Sequence, residues 1–305
     1  MSTPLLSVVV TVVDGGQALE RCLDALQQQD HPPTLEVIVP YDDATAEVSG
    51  LAPRYPSVLF LPMGAVPTER DSSSAAGQHE LFDRRRATGL AAATGELIAI
   101  LEDRGVPRPN WARVAVELHA RLPHAVIGGA IENGYDRLLN WAVYFCDFGR
   151  YQLPFEAGPR DYVSDVNICY KRRVLDATRE LWATRYHETT VHWALQRAGE
   201  VLYLHPDLVV DQVRGRLRLP ALLRERLGWG RLFAYTRARE MTLARRLIFG
   251  IVAPFLPGLL FFRIVRGQLV RLRALGKLAV AWPIVAALLF AWSLGEGTGY
   301  ITAQP

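Results

Sequence analysis

The sequence predicts an α/β protein built on an open, mostly parallel sheet flanked by helices, continued by a helical, membrane-associated C-terminal region. Three observations carry this reading. Runs of β-branched residues alternate with segments of helical spacing, acidic residues recur where the apolar runs end, and at about residue 211 the composition shifts to Arg/Leu-rich helix. A chain of 305 residues accommodates one domain of about 200 residues and an appendage.

Residues 5–13 are mostly β-branched, long enough for a buried parallel strand, and pass directly into the turn residues Asp14, Gly15 and Gly16. With no basic segment ahead of it, this run reads as a strand and not as a signal peptide. Leu19, Cys22, Leu23 and Leu26 then fall on one face of a helix over 17–29. Residues 35–40 give a second strand that closes on Tyr41, Asp42 and Asp43, so strand, helix and strand make a βαβ unit. A third strand covers 57–62, followed by a Gly/Ser/Ala-rich mobile loop over 63–78. An alanine-rich helix over 84–94 stops at Gly95, and a strand over 96–101 runs into Glu102 and Asp103. A helix over 111–122 and strands at 125–130, 165–170 and 200–204 come next. A helix over 187–198 carries Glu188 in its first turn, where the helix dipole favours negative charge. Open sheets bind ligands beyond the carboxyl ends of their strands, which puts Asp14, Asp42, Asp43, Glu102 and Asp103 on the binding edge.

Ten arginines fall between 214 and 246, a density suited to phosphate in lipid or substrate. Leu219, Leu223 and Leu227 lie on one helical stripe and Arg224 and Arg231 on another, so residues 213–246 read as basic amphipathic interfacial helix. Residues 247–262 are uncharged but interrupted by Pro254 and Pro257, and as a helix they reach about 24 Å against a hydrocarbon core of roughly 30 Å. They are expected to lie in the interface or to re-enter, breaking at 254–258. Residues 278–294 suffice for one crossing, and 247–305 is taken as a membrane-associated hairpin. The link between the two apolar runs carries Arg263, Arg266, Arg271, Arg273 and Lys277, so it is expected on the cytoplasmic side together with the domain at 1–212. A net charge of +3 gives no argument for nucleic acid. Cys22, Cys146 and Cys169 have neither zinc-site nor disulfide spacing, which favours a reducing compartment and structural thiols.

Several segments carry motifs in a fixed order. They are the opening strand over 7–14; the aspartate pair closing 37–43; the stretch 86–96, with Arg86, Ala87 and Gly89; and Glu102-Asp103-Arg104 with Pro107, Pro109 and Trp111 after it. Next come 166–172 with Asn167 and Arg172, His187-Glu188 with Gly199 beyond, 226–231 with Arg226, Trp229 and Arg231, and the glycine-rich 294–300. In this order they resemble the membrane-associated family 2 glycosyltransferases, which have the GT-A fold.

The resemblance implies a nucleotide-sugar donor whose base lies against Thr11 and Val13 and is read by Asp43, with Asp42 beside it. Glu102 and Asp103 would hold a divalent cation, Mg2+ or Mn2+, or else merely cap a turn. Arg104 stands where a third carboxylate is expected, and as a guanidinium it binds phosphate or pairs with Asp103. Asp211 or Gln212 would complete a metal shell. Arg86 is a donor-phosphate ligand or a solvated helix charge. Arg226 and Arg231 hold the diphosphate or face lipid, and Trp229 covers the site. Glu188 is the implied general base, with His187 a neighbour, and Asp165 and Asn167 hold the acceptor or serve as ordinary strand-edge residues. The implied activity is inverting transfer from a nucleotide-diphosphate donor, with UDP favoured, to a hydroxyl of a lipid-linked or cell-surface glycan. It would take place at the cytoplasmic face of the cell membrane, without nucleic acid. The alternative, raised by Arg104 and by Ala87 where the family has Asn, is a catalytically degenerate donor-binding scaffold or regulatory subunit.

Overall fold

Residues 4–239 and 241–304 are described in the computed structural model of the chain. Their elements are β1 (Leu6–Thr11), α1 (Gly16–Gln27), β2 (Leu35–Tyr41), β3 (Val58–Pro62), α2 (Ala75–Ala92), β4 (Leu97–Glu102), β5 (Gly105–Pro107), α3 (Trp111–Arg121), β6 (Val126–Asn133) and α4 (Leu138–Asp147). There follow β7 (Gly158–Pro159), β8 (Asn167–Lys171), α5 (Arg172–Ala177), α6 (Arg179–Trp182), α7 (Glu188–Arg197), β9 (Leu202–Gln212), α8 (Leu219–Ala238), α9 (Leu243–Val252), α10 (Leu256–Arg271) and α11 (Leu275–Thr302). The chain forms two compact units. One takes the residues up to 67 with 80–134 and 153–213, and the other takes 68–79, 135–152 and 214 onwards. Residues 68–79 and 135–152 thus leave the 1–212 domain expected from the sequence.

In the first unit the described strands form one sheet in the order β3-β2-β1-β4-β8-β6-β9-β5, with β7 against β9. β1 pairs parallel with β2 and with β4, and β2 pairs parallel with β3. Val8, Val9 and Val10 have no exposed surface, which is why this strand reads as an unbroken apolar run. Beyond β4 the sheet is mixed, because β8 runs antiparallel to both β4 and β6 while β6 and β9 are parallel. The chain winds from β1 out to β3 and returns to place β4 on the other side of β1. The topological switch point, where such sheets bind ligands, therefore falls between the carboxyl ends of β1 and β4. Along α1, Ala18, Leu19, Cys22, Leu23 and Leu26 are buried, as the helical spacing requires. β9 continues eight residues past the expected end at 204, because its apolar pattern resumes at Leu208 after His205, Pro206 and Asp207. α2 starts at Ala75, inside the segment expected to be loop.

In the second unit, buried residues of α4, Leu222 of α8 and the apolar side of α11 make one core, including Tyr144, Phe145, Val285 and Leu288. α8 and α11 approach backbone to backbone: a Cβ at Gly295 would stand 2.0 Å from the Leu227 carbonyl oxygen, which only glycine avoids. Two helical stretches, Leu243–Arg271 and Leu275–Thr302, are long and apolar enough to cross a membrane. The first was expected to break at 254–258; instead the helical path continues through a 3-10 turn at Ala253–Phe255. Pro254 and Pro257 each sit in the first turn of a helical segment, where a missing N–H costs no internal bond. Ile248, Ile251, Phe255, Phe262 and Val270 on this stretch are exposed.

Candidate active site

At the switch point the β1–α1 turn wraps around one carboxylate. Asp103, directly after β4, has no exposed surface, and its Oδ2 accepts the backbone N–H groups of Val13, Asp14 and Gly15 at 3.0, 2.9 and 2.7 Å. Gly15 adopts φ +64° to turn its N–H inward, a conformation glycine takes without strain. Burial pushes the Asp103 carboxyl up to about 6, against the pull of the Gly15 and Val13 bonds. Arg104 points the other way, forking onto Asp14 at 2.8 and 2.5 Å and remaining partly exposed. It pairs with Asp14, not with Asp103 as expected. Thr11 is buried opposite Glu102 in the β1–β4 register.

Arg86 is the hub of a second cluster. It projects from α2, is buried, and reaches Asp165 at 2.9 Å, Glu102 at 3.3 Å and Asp83 at 3.4 Å. Burial opposes its charge, but Asp165, then Glu102 and Asp83, outweigh that and raise its pKa. Glu188 opens α7, with Asp165 among the groups acting on its carboxyl. Burial first and Asp165 second push the Glu188 carboxyl well above the carboxylate range, with Arg86 opposing. One turn on, the His192 ring lies 3.7 Å from Glu188 through Nδ1 and 2.7 Å from the Tyr170 hydroxyl through Nε2; Tyr170 in turn meets the Tyr186 hydroxyl at 2.5 Å. Burial lowers His192 to about 4, so it is neutral at physiological pH.

Several expected site residues have other work. Asn167 is fully buried: its Oδ1 accepts the Trp111 indole N–H at 2.9 Å and its Nδ2 donates to the Ala130 and Leu208 carbonyls, each at 2.9 Å. Both polar atoms are committed to tying β8 to its neighbours, which removes it as an acceptor ligand. Of the aspartate pair, Asp42 is buried, caps the 3-10 turn Asp43–Leu51 through Ala44 N–H and forms an ion pair with Arg85 at 2.8 Å. Asp43 beside it is exposed. In the second unit, Arg226 is buried and forks onto Asp147. Arg231 donates to the Gln304 carbonyl at 3.1 Å, just beyond the end of α11, and Trp229 meets His79 edge-on at 5.2 Å. Within that unit Arg226 and Arg231 make protein contacts where diphosphate or lipid contacts were expected.

A divalent cation of the Mg2+ or Mn2+ type takes several oxygen ligands converging on one point. Asp103 Oδ2 is saturated by backbone donors, Glu102 faces Arg86 at 3.3 Å, and Asp211 pairs with Arg108 at 3.2 Å. Among the described residues no group of three or more His, Cys, Asp or Glu is placed to hold a metal. The expected shell of Glu102, Asp103 and Asp211 is therefore not assembled, although Asp103 Oδ1 is buried without a hydrogen-bond partner.

No family model matches the chain. In sequence it is 22% identical over 251 residues to Glycosyltransferase AglE of Haloferax volcanii, an alignment spanning 76% of this chain and 78% of the relative. In structure it matches the mannosyltransferase PcManGT from Pyrobaculum calidifontis, solved with GDP-Man and Mn2+, at a TM-score of 0.55 and 16% identity, covering 97% of this chain and 88% of that one. The fold is that of a glycosyltransferase. In sequence and in fold alike, the chain is thus similar to glycosyltransferases. For a glycosyltransferase fold the two acidic clusters at one sheet edge are the natural candidate site. Asp83, Tyr170 and Tyr186 belong to that region and were not singled out from the sequence. The three-residue step from Asp83 to Arg86 along a helix was the one local signal available.

Proposed function

We propose that the chain is an inverting family 2 glycosyltransferase that moves a sugar from a nucleotide-diphosphate donor to a hydroxyl of a lipid-linked or cell-surface glycan at the membrane. The observation that carries this is Arg86, which joins Glu102 at the end of β4 to Asp165, ahead of β8. Inverting displacement needs a base beside the acceptor hydroxyl and the donor held in line behind the anomeric carbon. Glu188 is the base in this reading. Asp43, exposed next to the fixed Asp42, reads the nucleotide base, with Thr11 and Val13 along the strand that cradles it. Arg104, partly exposed at the switch point, supplies a cation toward the diphosphate in exchange for Asp14. No step is assigned to a metal, because Glu102, Asp103 and Asp211 are each engaged by protein partners. Arg226, Trp229 and Arg231 remain donor-side candidates only in so far as their present partners can be exchanged. The two apolar helical stretches and the arginine-rich link between them support membrane attachment with the catalytic unit on the cytoplasmic side.

The test is incubation of the full chain in membranes with UDP- and GDP-sugars and a lipid-extract acceptor. Release of nucleoside diphosphate in step with labelled product of inverted anomeric configuration is expected. A second reading, a donor-binding scaffold, is favoured by the unassembled metal shell. Nucleotide-sugar binding without turnover on any acceptor would establish it instead.

A further inference from the structure

β1 and β2 pair from Leu6 and Leu35 only as far as Val9 and Ile38, whereas β1 stays paired with β4 to Thr11 and β2 with β3 to Tyr41. The two strands thus part before they reach the binding edge of the sheet. Arg85 of α2, with only 2% of its surface exposed, bridges the ends that have parted. Its Nε donates to Asp42 Oδ2 at 2.8 Å, just past β2, and its Nη1 donates to the Val12 carbonyl at 2.5 Å, just past β1. Asp42 in turn holds the backbone around Asp43. Its Oδ1 accepts the Ala44 N–H and its carbonyl accepts the Thr45 N–H, each at 2.9 Å, while the Asp43 N–H donates to the Gly64 carbonyl at 3.1 Å. On the other side, the Val13 N–H that follows Val12 is held by Asp103. A buried ion pair is weak ground for stability, since apolar side chains of similar volume often serve as well. What they cannot supply is a polar link between two strand ends.

Building on the reading in which Asp43 reads the nucleobase and Thr11 and Val13 cradle it, we propose that Arg85 is a positioning residue for nucleobase recognition. By tying Val12 to Asp42 it sets the distance between the cradling strand and the exposed Asp43. Buried as it is, Arg85 acts through Asp42 and the Val12 backbone and not by touching the ligand. The planar fork is what suits it to this work. Nε and Nη1 belong to one rigid group and hold their two acceptors at a fixed separation, whereas a lysine ammonium is a single point on a flexible stem. The guanidinium also lies over the Phe82 ring, 5.7 Å from its centre, which fixes its plane from within α2. Arg85 therefore serves the base and leaves the diphosphate to other groups.

The experiment is calorimetric binding of UDP and GDP to the full chain in detergent, with ribose 5-diphosphate as the probe that keeps the diphosphate and lacks the base. Wild type is compared with Arg85→Met, Arg85→Lys, Asp43→Ala and the double variant Arg85→Met/Asp43→Ala. Arg85→Met should weaken the better-bound nucleoside diphosphate by roughly ten-fold and change ribose 5-diphosphate by less than about two-fold, a difference within the range of coupled residues. Arg85→Lys should recover part of the loss. In the Asp43→Ala background the Arg85→Met change should have little further effect, since it acts through Asp43. Equal weakening of both kinds of probe, as general damage to the fold would give, or an Arg85→Met loss undiminished without Asp43, would overturn the proposal. Hydrogen exchange of the free proteins tests the clamp without any ligand. The Ala44 and Thr45 amides should exchange faster in Arg85→Met while those of α3 keep the wild-type rate, and unchanged exchange at Ala44 and Thr45 would overturn it. Faster exchange there in a protein that binds no nucleoside diphosphate would support the clamp and count against the nucleotide-donor reading alone.

Discussion

Asp103 and Glu188 are both acids raised by burial at the same end of one sheet, yet they are held in opposite ways. Asp103 is gripped by three backbone N–H groups of the β1–α1 turn, whereas Glu188 is met by another carboxyl that is itself clamped by a guanidinium. A backbone nest asks for an acceptor oxygen and is indifferent to the proton. A carboxyl pair with an arginine behind it depends on the proton. The first arrangement fixes the shape of a loop, and the second ties the proton affinity of Glu188 to its charged neighbours.

That contrast can be broken most strongly at Asp103. Asp103→Ala leaves three N–H groups without their acceptor, at about 1–3 kcal/mol for each that stays buried, so a loss of at least ~3 kcal/mol is expected in urea unfolding. Asp103→Asn keeps an acceptor oxygen and should recover most of it. Equal losses in the two variants would mean that the charge is required.

His119 provides the control, a group on which burial is the largest influence. Its Nε2 meets the Cys169 carbonyl at 3.2 Å, and burial, helped by Lys171, lowers it to about 4. The unfolded chain binds a proton near the ordinary value of 6.5, and the folded chain does so only near 4. Its contribution is therefore complete above 6.5 and lost as pH falls towards 4, amounting to roughly 3 kcal/mol. His119→Gln should flatten the stability profile between these limits; an unchanged slope would show that burial alone does not set such values here. The smallest effect is expected at Asp211. Its pair with Arg108 is solvent-exposed on both sides, so Asp211→Asn should cost less than about 1 kcal/mol. It should also leave Mn2+ binding to the free protein, followed by electron paramagnetic resonance, unchanged; a clear weakening of that binding would reinstate Asp211 as a ligand.

The parallel half of the sheet was legible because β1 and β4 are buried on both faces and read as continuous apolar runs. Glu102, Asp103 and Glu188 were legible as acids at strand and helix ends. Their partners were not, since Arg86 and Asp165 are 79 positions apart and nothing local joins them. Asn167 misled for the same reason: a polar residue opening a strand looks available until Trp111, Ala130 and Leu208 are found around it. The far end of β9 was hidden by His205, Pro206 and Asp207, where the register shifts opposite Gly129 and Ala130.

The central claim is that Glu188 takes the acceptor proton, and the most direct measurement is a single-turnover comparison of wild type and Glu188→Gln with a productive donor, alongside donor affinity by calorimetry. The amide keeps the shape and removes the base. Transfer should fall by about 10²–10⁴-fold while donor affinity stays within a few-fold of wild type. Transfer by Glu188→Gln at the wild-type rate would contradict the assignment and return the search for the base to Asp165.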